Sequence, residues 1–315
     1  MLRALVVGGA GVVGSHLVDR LLAEGNEVIA IDDLSRGSFA NLAHLRRSAR
    51  FAFIEHDVAT PYRAQVDRVF HLAVPSTRLA CEPDPVKALK TCVLGTMHAL
   101  DVAAANGARV VLATATERWG EGVRCAETLA VDFGKTRGAD VRVVRLPSAY
   151  GPRMAPDGDH LVMSLVLQAL RGQDLAPRAR LDRRVHLAYV DDAVETLART
   201  MESEKSEAGW LNDPRMTAVV APSSEVTVFE LAHLVAEAAG LVGMEVTDGS
   251  GDGPSSTPMS GRPSIADALP AAIALGQVPS VDLAEGILRT VQWFECRTGR
   301  REPAAERAQV TRRAG

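Results

Sequence analysis

The stretch LRALVVGGAGVVGSHLVDRLLAEG, residues 2–25, decides the fold of this chain. It begins with a short apolar run that is typical of a buried parallel strand, and a GxxGxxG turn follows at once. A helical pattern runs from the turn to Gly25, and the next apolar run, residues 27–31, ends on Asp32. A strand, a glycine turn, a helix and a second strand ending on an acid are the order of a dinucleotide-binding fold.

The glycines of this turn have separate expected roles. Gly8 permits the tight turn, Gly11 lets the backbone approach a pyrophosphate, and Gly14 lets the helix lie close to the strand. The free N–H groups that open the helix, at Val12 and Val13, would then face the phosphates. The alternative is a tight turn between strand and helix that binds no ligand.

The acid after the second strand predicts which dinucleotide binds. Asp32 would accept hydrogen bonds from an adenosine ribose and repel a 2′-phosphate, so NAD is expected rather than NADP. Asp33 and Ser35 follow it and are further candidate cofactor contacts. Arg36 is a nearby cation that can accommodate a 2′-phosphate, and it weakens the preference for NAD.

Length and composition describe an ordinary globular protein. The chain has 315 residues, 47% of them hydrophobic, with 35 basic and 39 acidic residues and a net charge of −4. This favours a large domain plus a lobe and gives no case for nucleic acid or an anionic membrane as a partner. The cysteines lack metal-ligand spacing, so we expect no metal site and reduced thiols in a cytoplasm. We expect no signal peptide, because the first predicted strand starts at residue 2, and no transmembrane segment, because no apolar run is long enough to span a bilayer.

Strands and helices alternate through the rest of the first half. The pattern predicts strands over 50–55, 67–72, 108–115 and 140–146, and helices over 39–47, 84–106 and 121–136. Such alternation predicts an α/β fold with a doubly wound parallel sheet. Ligands lie outside the carboxyl ends of these strands, so the glycine turn and the strand ends should surround one cleft.

The second half of the sequence has a different pattern of predicted elements. Helices are predicted over 161–170, from residue 190, over 226–239 and over 282–297, and the arginine-rich stretch 178–184 either cradles a diphosphate or is a solvated loop. We therefore expect an NAD-binding domain over 1–150, to which some later segments return. A smaller lobe over 151–299 and a disordered tail over 300–315 complete the division.

Several segments carry motifs of a known family: VVGGAGVVGSHL, AIDDLSRG, EHDVATP, VFHLAVPS, DPVKALKTCVLGTMHAL, RLPSAYGPRM, AYVDDAVE and GRPSIADA. Together these segments resemble the extended short-chain dehydrogenase/reductase family, and within it the UDP-glucuronate decarboxylases. The resemblance implies a Rossmann-type sheet with a smaller C-terminal substrate lobe and NAD as cofactor. It also implies a UDP- or dTDP-sugar as ligand and a homodimer formed by the helices after strands four and five.

The resemblance also implies roles for the ends of the third and fourth strands. Asp57 and Val58 resemble the pair that meets the adenine. Leu72, Ala73 and Val74 resemble the strand end that lines the cofactor.

On the substrate side the resemblance is less complete. Ser148 stands where the family often has an asparagine near the substrate, and Arg262 resembles the arginine that meets the nucleotide diphosphate. A second family arginine has no clean match, because Val185 occupies its position beside Arg183 and Arg184.

The catalytic residues of the family are the ones that depart from its pattern. In the family a YxxxK pair acts with a threonine and an acid: the tyrosine takes a proton from a sugar hydroxyl, and the lysine lowers the tyrosine pKa. Here Trp119 falls at the tyrosine position and Val123 at the lysine position, and the loop that usually follows Glu117 is deleted. Ala115 replaces the threonine, although Thr116 lies next to it.

Two functions from different classes remain open. The first is an NAD-dependent nucleotide-sugar enzyme that uses Glu117 and Thr116 as a non-standard catalytic set. The second is a non-catalytic binder of NAD and sugar nucleotide that acts as a partner or regulator. Glu117 could instead be a helix N-terminal acid, Thr116 a plain turn residue, and Trp119 either a stacking residue or a space filler. His71 is expected to be a packed imidazole rather than a base.

Overall fold

Two β-sheets organise the chain. The structure is a computed structural model that describes residues 1–75, 81–116, 121–156, 160–203, 218–219, 224–241, 245–247 and 280–298. Its strands are β1 Arg3–Val7, β2 Glu27–Asp32, β3 Phe51–Glu55, β4 Arg68–His71, β5 Arg109–Ala115, β6 Val141–Leu146, β7 Ser148–Tyr150, β8 Arg184–Tyr189, β9 Ala218–Val219 and β10 Ser224–Thr227.

The larger sheet has the strand order β3-β2-β1-β4-β5-β6-β9, and all of its pairings are parallel. In the interior strand β1, Val7 pairs with Ile31 on one side and with His71 on the other. The order reverses between β1 and β4, and ligands of doubly wound sheets bind at this position. The predicted Rossmann-type fold class is confirmed.

α-Helices pack around the two sheets. They are α1 Val12–Ala23, α2 Pro85–Lys90, α3 Thr96–Asn106, α4 Gly122–Arg137, α5 Leu161–Leu170, α6 Val190–Glu202, α7 Val228–Ala238 and α8 Leu283–Thr298. A π-helical turn, Thr91–Gly95, joins α2 to α3, so the predicted helix over 84–106 is continuous but not uniform. None of the helices in the described residues is both long and apolar enough to cross a membrane.

The helix predicted over 39–47 is wrong. The structure has two 3-10 turns, Phe39–Asn41 and Ala43–Leu45. The apolar residues Phe39, Leu42 and Leu45 recur every three positions, which matches the 3-10 repeat better than the α-helical one.

The second sheet was not predicted. It has the order β10-β8-β7, with β8 antiparallel to β10 and parallel to β7. Val185, Leu187 and Tyr189 of β8 are buried, whereas Arg184 is exposed. This sheet belongs to a smaller core that α5, α7 and α8 complete. The domain boundary at residue 150 stays a prediction.

His71 ends β4 in the core, as the sequence predicts. The residue is 1% exposed, and its Nε2 lies 3.2 Å from the hydroxyl of Thr96 on α3. Burial lowers the pKa of His71 to about 4, because the charged imidazolium cannot be solvated there.

We predict that His71 makes the protein less stable in acid. The pKa of His71 is lower in the folded state than its unfolded value of about 6.5. The contribution of the neutral imidazole to the free energy of unfolding is therefore complete above that unfolded value and disappears as the pH falls towards 4. The loss amounts to about 3 kcal/mol over that window. Urea unfolding at a series of pH values should therefore give a shallower acid slope for His71→Asn than for the wild type. His233→Gln, at an exposed position near the middle of α7, serves as the control and should keep the wild-type slope.

Candidate functional site

The glycine turn after β1 is built tightly against its neighbours. Gly8 has a φ of +84°, and a Cβ there would lie 3.0 Å from the Ala73 nitrogen. A Cβ at Gly9 would lie 2.7 Å from the Ala30 Cβ, and one at Gly14 would overlap the Gly8 carbonyl oxygen. The protein's own packing therefore accounts for glycine at these three positions.

Gly11 is the exception in this turn. Its φ is −71°, and the nearest atom to an added Cβ is the Gly8 oxygen at 3.4 Å, which is tight but outside the range of a clash. Gly11 caps α1 without a side-chain hydrogen bond, and the first intrahelical bond runs from the Ser15 N–H to the Gly11 carbonyl. The N–H groups of Val12 and Val13 precede that bond, so the helix offers them to an anion. Close approach of a ligand accounts for glycine here better than packing does, and the turn fits a dinucleotide pyrophosphate.

Asp32 ties the turn to the end of β2. Its Oδ2 accepts the Ala10 N–H at 2.9 Å and its Oδ1 accepts the Leu34 N–H at 2.9 Å. Burial raises the pKa of Asp32, and the charge of Asp33 adds to that effect, whereas the two backbone hydrogen bonds oppose it. A carboxylate has about four lone-pair sites, so Asp32 keeps acceptor capacity for a ribose hydroxyl.

Asp33 faces outwards beside Asp32. Its Oδ1 accepts the Ser35 N–H at 3.0 Å and the Ser35 hydroxyl at 2.5 Å, and its Oδ2 accepts the Lys87 ammonium at 3.0 Å. Burial opposes ionisation, but these hydrogen bonds outweigh it and lower the pKa of Asp33. Arg36 lies exposed on the same loop.

The other predicted cofactor residues lie at the same edge of the sheet. The N–H of His56 donates to the Asp32 carbonyl at 3.0 Å, which places Asp57 and Val58 directly after that contact. Val58 is buried, its carbonyl oxygen lies 2.9 Å from Nδ1 of His98, and its Cγ2 would lie 3.0 Å from a Cβ at Gly95.

Backbone hydrogen bonds and the packing of Gly8 hold the segment after β4 in place. The Leu72 N–H donates to the Val7 carbonyl at 2.8 Å, and the Val74 N–H donates back to the Leu72 carbonyl at 2.9 Å. Gly8 lies directly against the bond between Leu72 and Ala73. The structure therefore brings the predicted cofactor residues of four strand ends to one edge.

On the substrate side, two strand ends meet. The N–H of Thr116 donates to the Leu146 carbonyl at 2.8 Å, so Thr116 lies close to the start of β7. The hydroxyl of Ser148 lies 2.8 Å from Nε2 of His160, the residue before α5. Thr116, Ser148 and His160 are all half-buried, so each keeps some exposed surface.

Two predicted residues, Glu117 and Arg262, lie outside the described residues, and so does Trp119. Arg184 is exposed in β8, with its guanidinium 3.8 Å from the Glu225 carboxylate. Arg178 and Arg180 are exposed as well, and Arg180 pairs with Asp182 at 2.8 Å.

Val123 is fully buried, with 0% exposure, in the cluster that contains Val74, Cys92 and Ala126. One turn later on α4, Glu127 accepts a hydrogen bond from the Thr114 hydroxyl at 2.7 Å. Its carboxylate also accepts two hydrogen bonds from the Arg145 guanidinium, at 2.8 and 2.7 Å. Residues four apart share a helix face, so the Glu127 contacts fix Val123 towards the interior.

Sequence reasoning did not assign roles to Lys87, Glu127 or His160. Their partners lie 54, 13 and 12 residues away in the chain, so no local pattern predicts them. The only local signal for these contacts is the pair of adjacent acids in AIDDLSRG, since one of two neighbouring carboxylates is expected to need a positively charged partner.

Comparison with known proteins adds the family. The model of the NAD dependent epimerase/dehydratase family matches residues 4–210. The chain belongs to this family. The expected cofactor, NAD, is the cofactor of the family, and the resemblance to extended short-chain dehydrogenases/reductases is confirmed.

Relatives of this family member include UDP-glucuronic acid decarboxylase 1 of Arabidopsis thaliana. The two are 34% identical over 94% of this chain and 70% of the relative. UDP-glucuronic acid decarboxylase 1 of Xenopus tropicalis is 32% identical over 93% of this chain and 72% of the relative.

Solved structures of the family share the fold. UDP-glucose 4-epimerase of Thermotoga maritima, solved with UDP-glucose, superposes with a TM-score of 0.77 at 25% identity, over 94% of this chain and 100% of the epimerase. The Bordetella bronchiseptica enzyme WbmF, solved with NAD+ and UDP, superposes with a TM-score of 0.76 at 20% identity, over 95% and 93% of the two chains.

We predict that a lysine at position 123 is poorly tolerated. Val123→Lys places an ammonium among apolar side chains and should cost at least about 2 kcal/mol of unfolding free energy. Thr128→Lys, on the exposed face of the same helix, should stay within about 0.5 kcal/mol of the wild type. Urea unfolding measures both variants. Equal stability of the two would mean that residue 123 reaches solvent in the cleft.

Proposed function

We propose that this chain is an NAD-dependent nucleotide-sugar protein of the UDP-glucuronate decarboxylase type with an altered catalytic site. The observation that carries the proposal is the contrast between the two ends of the site. The glycine turn and Asp32 are intact and joined by a 2.9 Å hydrogen bond, whereas the lysine position is the fully buried Val123.

On the cofactor side, the proposal assigns the phosphates to the turn from Gly8 to Val13 and the adenosine ribose to Asp32. Asp57 and Val58 would meet the adenine, and Leu72 to Val74 would line the nicotinamide half. The cofactor-binding part of the site is thus supported by contacts within the chain, since these strand ends are already held together.

On the substrate side, the proposal assigns a UDP- or dTDP-sugar to the cleft beside Ser148, with Arg262 and Arg184 as cations for the diphosphate. Sequence similarity to the decarboxylases supports UDP-glucuronate as the first substrate to test. Bound NAD supplies a hydride acceptor. The chain must then supply a group that takes the proton of the sugar hydroxyl.

Neither indole nor valine can take that proton. General acid–base catalysis contributes about 10²–10⁴ to a rate, so its loss leaves a slow or inactive protein unless another group replaces it. Thr116 and Glu117 are the candidates from the sequence, and the Ser148–His160 pair is a candidate from the structure, because its imidazole lies 2.8 Å from the hydroxyl. The alternative function is a non-catalytic partner or regulator, which the burial of Val123 favours. The cytoplasmic location remains a prediction.

We predict that the full chain binds UDP but converts UDP-glucuronate at least about 10²-fold more slowly than a decarboxylase that has the tyrosine and lysine. Calorimetry measures UDP binding, and mass spectrometry of the NAD-loaded protein with UDP-glucuronate measures loss of carbon dioxide. Robust turnover by the unmodified chain would exclude the non-catalytic function. Thr116→Ala, Glu117→Gln and His160→Gln would then identify the replacement group.

A row of exposed apolar side chains runs along α2 and α3. Val86, Leu89, Leu94 and Met97 are 61%, 48%, 36% and 40% exposed. The π turn carries one extra residue and presents Leu94, whereas Val93 is half-buried and Leu100 belongs to the core. We propose that a second copy of the chain covers this row, since the family resemblance implies a dimer there.

We predict that the protein is a dimer at micromolar concentration and that Leu89→Asp with Met97→Asp makes it a monomer. The two carboxylates would be buried without partners in the interface, whereas they are solvated in the monomer. Ile54→Asp, at an apolar position 43% exposed on β3, is the matched control and should stay dimeric. Light scattering gives the mass, and a monomeric wild type would refute the proposed dimer.

A further inference from the structure

One ion pair crosses the adenosine end of the proposed cofactor site. Lys87 lies in the first helical turn of α2, where its N–H bonds the Asp84 carboxylate at 2.9 Å. Its ammonium reaches Asp33, in the loop after β2, at 3.0 Å. The pair therefore connects the segment after β4 with the segment after β2.

Several carboxylates surround this ammonium. The hydrogen bond to Asp33 is the main cause of the raised pKa of Lys87, and the charges of Asp33, Asp57 and Asp84 add to it. Asp33 follows β2 and Asp57 follows β3, so Lys87 lies at the meeting point of the segments expected to hold ribose and adenine. The charge of Asp33 also raises the pKa of Asp32.

Stability does not account for the pair. The side chains of Lys87 and Asp33 are 47% and 26% exposed, and ion pairs at such exposure contribute little to folding. The charges of Lys87 and Asp33 act instead on a ligand that binds beside Asp32. A 2′-hydroxyl is neutral, whereas a 2′-phosphate carries negative charge, so the two cofactors differ in their response to a nearby cation.

We infer that Lys87 is a specificity-determining residue that limits the preference for NAD over NADP by neutralising Asp33. The inference rests on the proposed NAD site. With Lys87 present, Asp32 is the acid that mainly repels a 2′-phosphate. Without Lys87, the unneutralised carboxylate of Asp33 adds to that repulsion. Without the carboxylate of Asp33, the ammonium attracts the phosphate.

The test is calorimetric titration of the cofactor-stripped full chain with NAD and NADP at low salt. The ratio of the NADP to the NAD dissociation constant should exceed one in the wild type. It should rise about five- to tenfold in Lys87→Met and fall by a similar factor in Asp33→Asn. The double variant should lie between the two, because the two charges act on the same phosphate. Raising the salt should shrink each change.

Lys135→Met removes the same charge from the last turn of α4 and should leave the ratio unchanged. Lys87→Gln repeats the test with a polar side chain, and thermal unfolding of each variant shows that it is folded. Ratios within twofold of the wild type in Lys87→Met and Asp33→Asn would overturn the inference. Equal weakening of both cofactors would also overturn it, since that result describes a structural contact. A wild type that binds neither cofactor would instead refute the proposed function.

Discussion

The contact between Asp32 and the glycine turn is the constraint on which the rest of the structure depends. The carboxylate holds the Ala10 N–H with one oxygen and the Leu34 N–H with the other, so one side chain fixes the turn and the loop after β2. The Asn41 amide then donates to the Ala10 carbonyl at 2.9 Å and to the Arg153 carbonyl at 3.3 Å. A single turn is thereby connected to both halves of the chain. Asp32 therefore has a structural role beside its proposed role at the ribose, and its removal would disturb the fold.

The parallel sheet was predictable because its strands are apolar and the residues between them form amphipathic helices or glycine turns. The second sheet was not, since the period-two alternation of Val185, Leu187 and Tyr189 is short and follows an arginine-rich stretch. The position of the acids and glycines at one edge of the sheet could be predicted, because a single local motif contains them. The Lys87–Asp33 and Ser148–His160 contacts could not, because they form only when distant segments meet at the sheet edge.

The connection between β5 and α4 is short, and the orientation of α4 is fixed by contacts to the sheet. Only residues 116–121 separate these elements, and the helix that follows is fastened to β5 and β6 through Glu127. This contact is buried and charge-assisted, so a rotation of α4 that breaks it would cost several kcal/mol. The burial of Val123 is therefore a property of the helix orientation as well as of its own side chain.

The two ends of the site depend on different contacts. The residues proposed to hold the cofactor are fixed by β1, β2 and β4 through the glycine turn, whereas Val123, at the proposed lysine position, depends on the orientation of α4. The strands between these regions form one hydrogen-bonded sheet. A chain of this fold can consequently lose its proton-transfer group without losing the geometry that binds a dinucleotide. Substituting the missing side chains supplies the chemical groups but not the helix orientation, and groups misplaced by about 1 Å can lose roughly 10²-fold in rate.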